Sequence, residues 1–474
     1  MVPDDQGGDC LMRADLLLDA VDGLDEALAA VDGFDAALVG GLLRPQPGQA
    51  EGLAGLADAV AGSPLASRVA EAADKTAAGA GDEGHFVALA AARTALLGSV
   101  HDALVTRVEE AVGRPRGEAA AAPAAGTEQA ANLRLAARGW LCDLARAGWR
   151  GIDHELVGGA APVVSAMLPD PASRRPATLL DGFAAELAAS CPGATLERVP
   201  VRRWADLWSR ALLLTLPGVD PEPVVAEATG RLLPLGVDVQ EHATAVQAQV
   251  HAVFEPADGG TPRLVRASVS APKPDTVVGA GLWQLLRPHM SLLAAVSEGR
   301  SMDLDAMPLT AEGDLVWDDA RARAGEPADA FATARVALPT AAAFPVAPLE
   351  RHPARLAVPV LLEGYGVEEE DGRVVLRTAG GHLGVDTDRL PVAGPLTPEF
   401  VASSVACLGL LRWDAGEFLL QPLAVERLVR KKAVAVHAGA WAGGTTDKAG
   451  ARAEKAATDA VTVLRERAGK LLRK

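Results

Sequence analysis

The chain has few cysteines, aromatic residues and lysines for its length. Its 474 residues include one tyrosine, eight phenylalanines, eight tryptophans and four cysteines. The cysteines lie far apart at 10, 142, 191 and 407 and form no Cys-x-x-Cys pair. Their spacing therefore predicts neither a zinc knuckle nor a disulfide framework, and a reduced compartment is the simplest interpretation.

Long apolar runs are also missing. No stretch of 18 apolar residues free of charges occurs, so we expect no membrane-spanning helix. The first ten residues are acidic and lack the basic-then-apolar pattern of a secretion signal. Together these features predict a cytoplasmic protein. With 49% hydrophobic residues, mostly Ala, Val and Leu, the chain is expected to fold into two to four domains with aliphatic cores.

Charge is divided very unevenly along the sequence. Residues 1–426 hold 33 Lys and Arg against 58 Asp and Glu, a net charge of −25. Residues 427–474 hold 12 against 4, a net charge of +8. A body so acidic repels nucleic acid and anionic lipid, so we expect any binding of either only through residues 427–474.

The N-terminal half is predicted to be helical. A nine-residue phrase, Ala20–Leu28, recurs ten positions later as Ala30–Leu38, and its apolar residues repeat every three or four positions. Gly23 and Gly33 are expected to weaken this helix by roughly 1 kcal/mol each. A second long helix is indicated from Phe86 to Val108, ending near Gly113.

Residues 116–127 are rich in Ala, Pro and Gly and predict a linker. The linker separates a helical domain at 1–115 from a second helical domain at 128–232. In the second, Trp204 and Trp208 lie four residues apart on one helical face, which favours packing in a bundle core over stacking on a ligand.

Residues 233–426 are predicted to be β-rich. Val246 to Phe254 alternate with Gln247, Gln249 and His251, which is typical of a half-buried strand. A returning strand is expected at Val265–Val269, with further strands at Phe331–Leu338 and Leu356–Leu362 and a hairpin at Val367–Leu376. A helix is expected to start at Thr397 and to carry an apolar stripe to Leu411. The fold class is therefore α+β and multidomain, with a helical N-terminal half, an antiparallel β-rich C-terminal half and a basic C-terminal helix.

Two polar clusters are candidates for chemistry. His382, Asp386 and Asp388 share a Gly-rich turn and are the candidate catalytic residues. Asp303 and Asp305 form the second cluster and are the candidate metal ligands. Either cluster is also explained as a solvated loop, because Asp and Gly favour turns without any ligand. No motif in the sequence indicates a cofactor, and none is expected.

Residues 427–474 are the candidate interaction segment. From Asp447 onward the spacing of Val461, Leu464, Ala468 and Leu471 predicts a basic amphipathic helix with a narrow apolar seam. Terminal cations also complement the helix dipole while staying solvated. The candidate interaction residues are Arg430, Lys431, Lys432, Arg465, Arg467, Lys470, Arg473 and Lys474.

Two phrases resemble known sequences. Val201–Trp208, VRRWADLW, and Leu410–Pro422, LLRWDAGEFLLQP, are similar to segments of uncharacterised bacterial accessory proteins encoded beside MoxR-type AAA ATPases and von Willebrand A proteins. The resemblance implies a protein partner and supplies no site. The sequence thus favours a non-enzymatic scaffold or adaptor that docks through its basic terminal helix. An enzyme of the metal-dependent hydrolase type, with a site assembled from distant residues, and an anion- or nucleic-acid-binding tail remain the alternatives.

Overall fold

The computed structural model describes residues 13–114, 131–170, 173–217, 219, 226–242, 244–370, 372–378, 380–445 and 448–471. The N-terminal half is helical, as predicted. Its helices are α1 (Ala14–Leu18), α2 (Leu24–Gly40), α3 (Pro47–Ala59), α4 (Ala66–Ala77), α5 (Glu83–Val112), α6 (Ala131–Ala147), α7 (His154–Gly158), α8 (Ala160–Met167), α9 (Arg174–Ala189) and α10 (Val201–Leu214).

Helix α5 begins and ends at strong local signals. At its start the Asp82 carboxylate accepts a hydrogen bond from the His85 backbone N–H at 3.0 Å, which satisfies one of the free amides of the first turn. It ends at Gly113, whose φ of +63° is the left-handed geometry of a helix C-terminus. The predicted stripe from Phe86 to Val108 is buried along its length, which confirms this helix.

Tryptophans fill the centre of the helical half. Trp204 and Trp208 are fully buried, and the indole of Trp208 donates to the Leu141 carbonyl at 2.8 Å. Trp204 also meets Trp149 edge to face, with ring centroids 6.0 Å apart. The prediction that this pair packs in a bundle core is confirmed.

One core joins the two predicted helical domains. Phe34 and Phe86 from residues 1–115 share it with Trp140, Phe183 and Trp208 from residues 128–232. The two segments therefore bury their apolar faces against each other. The predicted linker, 116–127, lies outside the described residues.

The first sheet of the C-terminal half is mostly antiparallel. Its strands are β1 (Ala226–Glu241), β2 (Ala245–Pro256), β3 (Arg263–Pro272), β4 (Arg300–Leu309), β5 (Asp314–Leu315) and β6 (Ala322–Pro327). They run in the order β1-β2-β3-β5-β4-β6, and β1 also pairs with β4, so the sheet curls back on itself. The β2–β3 pair is the hairpin that the alternating pattern predicted. Strand β1 begins seven residues before the predicted boundary at 233.

The second sheet holds the remaining strands. They are β7 (Val358–Glu363), β8 (Gly366–Glu370), β9 (Arg373–Thr378), β10 (Gly381–Val385), β11 (Ala406–Asp414), β12 (Glu417–Val429) and β13 (Lys432–His437). Their order is β7-β11-β12-β10-β9-β8, with β13 added to β12. The β8–β9 pair is the second predicted hairpin, and the antiparallel β-rich C-terminal half is confirmed.

Five helices accompany the sheets: α11 (Leu282–Leu285), α12 (Met290–Glu298), α13 (Ala330–Val336), α14 (Pro398–Ala402) and α15 (Lys448–Leu471). Helix α13 corrects the predicted strand at Phe331–Leu338. Asp329 caps it by accepting from the Ala332 N–H at 2.7 Å, and Phe331 and Ala334 face the core from one side of the helix. Helix α14 starts at the predicted Thr397 cap but ends at Ala402, because the chain then enters β11.

A buried polar cluster joins the two sheets. On β1 the Asp238 carboxylate accepts from the Arg412 guanidinium at 2.9 Å and from the Gln421 amide at 2.8 Å. All three side chains are at least nine-tenths buried. Beside this cluster Gly236 lets β12 approach closely, since a Cβ there would lie 2.8 Å from the Cβ of Leu423. None of the helices formed by the described residues combines the length and the apolar composition that a membrane span requires.

Candidate functional site

The predicted interaction residues at 430–432 lie on a β-hairpin. Strands β12 and β13 pair from Ala424 with His437 out to Val429 with Lys432, and Arg430 and Lys431 form the loop. Both loop residues have positive φ, +50° and +65°, as the central residues of a tight hairpin turn require. We call residues 427–437 the basic hairpin. At its tip the side chains are exposed, including those of Leu428 and Val434.

The predicted basic helix is α15, and its first half rests on the body of the protein. Ala457 is buried against the turn that precedes α11. The contact is tight: a Cβ on Gly281 would lie 2.8 Å from the Cβ of Ala457 and 3.0 Å from the Ala453 carbonyl oxygen. Small residues at this crossing let the two backbones approach.

The cations of α15 point to solvent where the structure describes them. Arg452, Lys455, Arg467 and Lys470 are exposed, and within the described part of the chain none forms an ion pair. The side chain of Arg465, together with Arg473 and Lys474, lies outside the described residues.

The candidate catalytic residues lie on β10 and in the turn that follows it. His382, near the start of the strand, is exposed and in register with Arg377 of β9. Asp386 is mostly buried and accepts from the Arg389 guanidinium at 2.8 Å, whereas Asp388 is exposed. Asp386 is therefore held in an ion pair with a residue three positions later in the chain.

The candidate metal ligands lie on β4. Asp303 and Asp305 are exposed on the same side of the strand, and Asp303 lies between Arg231 of β1 and Arg323 of β6 in the sheet register. Among the described residues, no group of three or more His, Cys, Asp or Glu side chains is placed to hold a metal ion.

The structure also forms a cleft that sequence reasoning missed. Its volume is about 640 Å³, and it lies between helix α5, strand β3 and the segment 343–359. Most of its lining is apolar, including Val105, Leu264, Phe344 and Val358. This size falls within the range of roughly 300–1,000 Å³ that is typical of small-molecule sites.

Ion pairs and hydrogen bonds hold the segment 343–359 over the cleft. The Arg351 guanidinium donates to the Asp102 carboxylate of α5 at 3.0 Å and to the Val346 carbonyl at 2.8 Å. At the far end of α5, Arg114 donates to the Pro359 carbonyl at 2.7 Å. These bonds join α5 to residues about 250 positions later in the sequence.

Two histidines face this cleft from opposite walls. His101 is buried on α5, and its Nδ1 lies 3.1 Å from the Asp102 carboxylate. Burial lowers the pKa of His101, although Asp102 opposes the shift. On β2, His251 is 1% exposed, and burial together with the Arg266 guanidinium lowers its pKa to about 3. Both rings are therefore neutral at physiological pH.

His251 has an unmet hydrogen-bonding group. Its Nε2 is buried and has no hydrogen-bond partner among the described residues. The alternating pattern of β2 predicted that His251 lies on the polar, outward side of the strand. It does lie there, opposite Arg266, but that side packs against the second sheet: Val253, on the same side of β2, shares a core with Leu408 and Ala424.

Comparisons of the chain with protein-family models, with curated proteins and with solved structures returned no match. The function proposed below therefore rests on the residues and their geometry.

Proposed function

We propose that this chain is a non-enzymatic adaptor in a bacterial cytoplasmic protein assembly. It docks on an acidic surface of another protein through the basic hairpin and helix α15. The observation that carries the proposal is the uneven charge of the sequence: residues 427–474 have a net charge of +8 on a chain whose other residues sum to −25. Such a contrast steers one face of the molecule towards a negative partner.

The geometry of α15 supports this use. Its first half is fixed by the close crossing at Gly281 and Ala457, so the second half is presented on a rigid support. Arg467 and Lys470 are exposed beyond that crossing and are available to a partner. The basic hairpin adds Arg430, Lys431 and Lys432 next to exposed Leu428 and Val434. A surface that combines cations with apolar side chains is complementary to the surface of another protein, which offers carboxylates and apolar contacts together.

The resemblance of Val201–Trp208 and Leu410–Pro422 suggests the partner class. The first segment lies in α10 with Trp204 and Trp208 buried, and the second forms the β11–β12 hairpin with its apolar side chains mostly buried, so neither is part of the basic hairpin or α15. We propose a MoxR-type AAA ATPase or a von Willebrand A protein as the partner.

The experiment measures binding of the full chain to each of these two proteins, purified separately from the source organism, by calorimetry at low and high salt. The variant Arg467→Glu/Lys470→Glu reverses two exposed cations of α15. The matched control, Arg68→Glu/Lys75→Glu, makes the same charge change on α4, where both residues are exposed.

We expect the α15 variant to bind at least tenfold more weakly and the control to bind like the unmodified chain. Added salt should weaken the unmodified complex, because exposed charges are screened over about 10 Å at 0.1 M. Absence of binding to both proteins at low salt would refute the partner assignment. Equal binding by the two variants would refute docking through α15.

A further inference from the structure

Two strands of the second sheet, β8 and β13, each have a free edge. Within the described part of the chain, β8 pairs with β9 alone and β13 pairs with β12 alone. We propose that the free edge of β13 pairs with the free edge of β8 on a second copy of this chain, so that copies assemble head to tail. This inference goes beyond the proposed function and does not depend on it, because it needs no other protein.

On β13 the free edge presents the backbone groups of Ala433 and Ala435. The basic hairpin has a two-residue loop, so Val429 and Lys432 form the hydrogen-bonded pair that flanks the loop. From that pair onward the N–H and C=O groups of successive residues point alternately towards β12 and away from it. Ala433 and Ala435 point away, and residues 432–435 are exposed. Such an edge is a template for a further strand.

On β8 the free edge presents the backbone groups of Val367 and Glu369. Glu370 and Arg373 flank the loop of the β8–β9 hairpin, so the N–H and C=O groups of Glu369 and Val367 point away from β9. Residues 368–370 are exposed, and Val367 is half-buried. This edge is therefore also open to a further strand.

A single antiparallel register uses the outward groups of both edges. When Ala433 lies opposite Glu369, Ala435 lies opposite Val367, because antiparallel partners move apart in sequence by equal steps. Both pairs then exchange their two backbone hydrogen bonds. Strand addition of this kind obtains its affinity from main-chain hydrogen bonds and its specificity from the side chains beside them.

Charge favours this pairing over the two symmetric ones. The register places Lys432 of one copy opposite Glu370 of the other, and opposite charges in such cross-strand positions stabilise a sheet. Within β8, Glu368 and Glu370 share one cation, Arg377, so the strand keeps a surplus of negative charge. Pairing β13 with β13, or β8 with β8, would bring two basic hairpins or two acidic strands together, and like charges repel.

The contact is heterologous, because each copy contributes a different edge to it. Association then continues into a ring or an open chain and does not stop at a dimer. The edges are short and bury little area, so we expect assembly to be weak and to increase with concentration.

The test measures the mass of the purified full chain by sedimentation velocity over a wide range of protein concentration. At low salt we expect species larger than a dimer that grow with concentration. High salt should dissociate them, because the charges of both edges are exposed and easily screened. A monomer at every concentration, or a dimer that grows no further, overturns the proposal.

Two proline variants identify the edges. Ala435→Pro and Glu369→Pro each remove one outward N–H and leave the pairing with β12 or β9 intact. Each variant alone should be monomeric, and an equimolar mixture should form a dimer and nothing larger, because one copy then offers only β8 and the other only β13. Ala435→Val keeps the N–H and should assemble like the unmodified chain. Dimers of either proline variant alone, or a mixture that stays monomeric, refute the proposal.

Charge reversal tests the register without changing the backbone. Lys432→Glu and Glu370→Lys should each weaken association about tenfold. The double variant should recover most of that loss, because the pair is restored with its signs exchanged. Lys75→Glu, on an exposed position of α4, makes the same charge change and should leave association unchanged. Thermal unfolding confirms that each variant is folded, and a double variant as weak as the single ones refutes the register.

Discussion

Arg93 and Asp35 form a bidentate ion pair in the interior of the helical half. Arg93 Nε lies 2.6 Å from Asp35 Oδ1 and Nη2 lies 2.9 Å from Oδ2, and each side chain is 1% exposed. The pair joins α2 to α5, and Arg93 Nη1 also lies 3.8 Å from Asp206 of α10. Three helices thus meet at one guanidinium.

Removing one member of this pair should destabilise the fold strongly. We expect Arg93→Met to lower the free energy of unfolding by about 3–5 kcal/mol, because the Asp35 carboxylate is left buried without its partner. The measurement is denaturant unfolding. The double variant Asp35→Leu/Arg93→Met should recover most of the loss, since it leaves no buried charge. A double variant as unstable as the sum of the two single ones would contradict this account.

Two glycines on α3 should respond oppositely to alanine. A Cβ on Gly52 would lie 2.4 Å from the Gly33 carbonyl oxygen of α2, whereas a Cβ on Gly55 meets nothing within 4 Å. Gly52→Ala should cost about 1–3 kcal/mol because the helices must move apart. Gly55→Ala should gain about 0.5–1 kcal/mol from helix propensity alone. Thermal unfolding of both variants checks the pair, and equal shifts in Tm would show that the close helix crossing is not formed.

Burial of His251 should make stability depend on pH. In the unfolded chain this ring takes up a proton near its ordinary pKa of 6.5, but in the folded protein its pKa is about 3. Between these values the unfolded state binds more protons, so the free energy of unfolding decreases as pH falls from 6.5 towards 3. From pH 7 to pH 5 the loss is about 2 kcal/mol, at 1.36 kcal/mol for each unit of pKa difference.

The variant His251→Gln isolates that contribution, because glutamine stays neutral throughout this pH range. We expect its stability to fall less than that of the unmodified chain between pH 7 and pH 5, by roughly the 2 kcal/mol that the imidazole supplies. Other histidines with lowered pKa, His101 and His352 among them, contribute equally to both proteins. Parallel pH profiles would mean that His251 is accessible to protons in the folded state.

Two double variants of the basic hairpin distinguish the effect of backbone conformation on stability from the effect of charge. Arg430 and Lys431 adopt positive φ, which costs a non-glycine residue about 1–2 kcal/mol, whereas Asn-Gly favours this turn. Arg430→Asn/Lys431→Gly should therefore raise the free energy of unfolding by about 1 kcal/mol or more. Arg430→Gln/Lys431→Gln removes the same charges without relieving the backbone and should leave stability unchanged. If the hairpin docks on an acidic partner, both variants should weaken binding equally, as measured by calorimetry.

Local patterns in the sequence predicted most elements of the fold. The three-to-four-residue spacing of apolar residues in α5 and the alternation of apolar and polar residues in β2 each depend on which side of a single element is buried. That side can be identified from the local sequence alone. Phe331–Leu338 was predicted wrongly as a strand because a seven-residue helix offers only two turns of spacing. In this segment the Asp329 side chain caps the first turn and so stabilises the helix.

The candidate sites were harder to predict because they depend on distant contacts. His251 was assigned to the polar side of β2, yet that side packs against strands β11 and β12, more than 150 positions later in the sequence. The Asp102–Arg351 pair, which closes the cleft, has no signal in either local sequence.

By itself, the sequence determined the helical and β-rich halves, both hairpins, the buried tryptophans and the separation of charge, since these follow from composition and short periodic patterns. Only the tertiary structure decided that two helical segments share one core, that Arg430 to Lys432 lie on a hairpin, and that a cleft forms between α5 and the segment 343–359. Such features require that chain segments far apart in sequence pack together, and no local pattern encodes which segments meet.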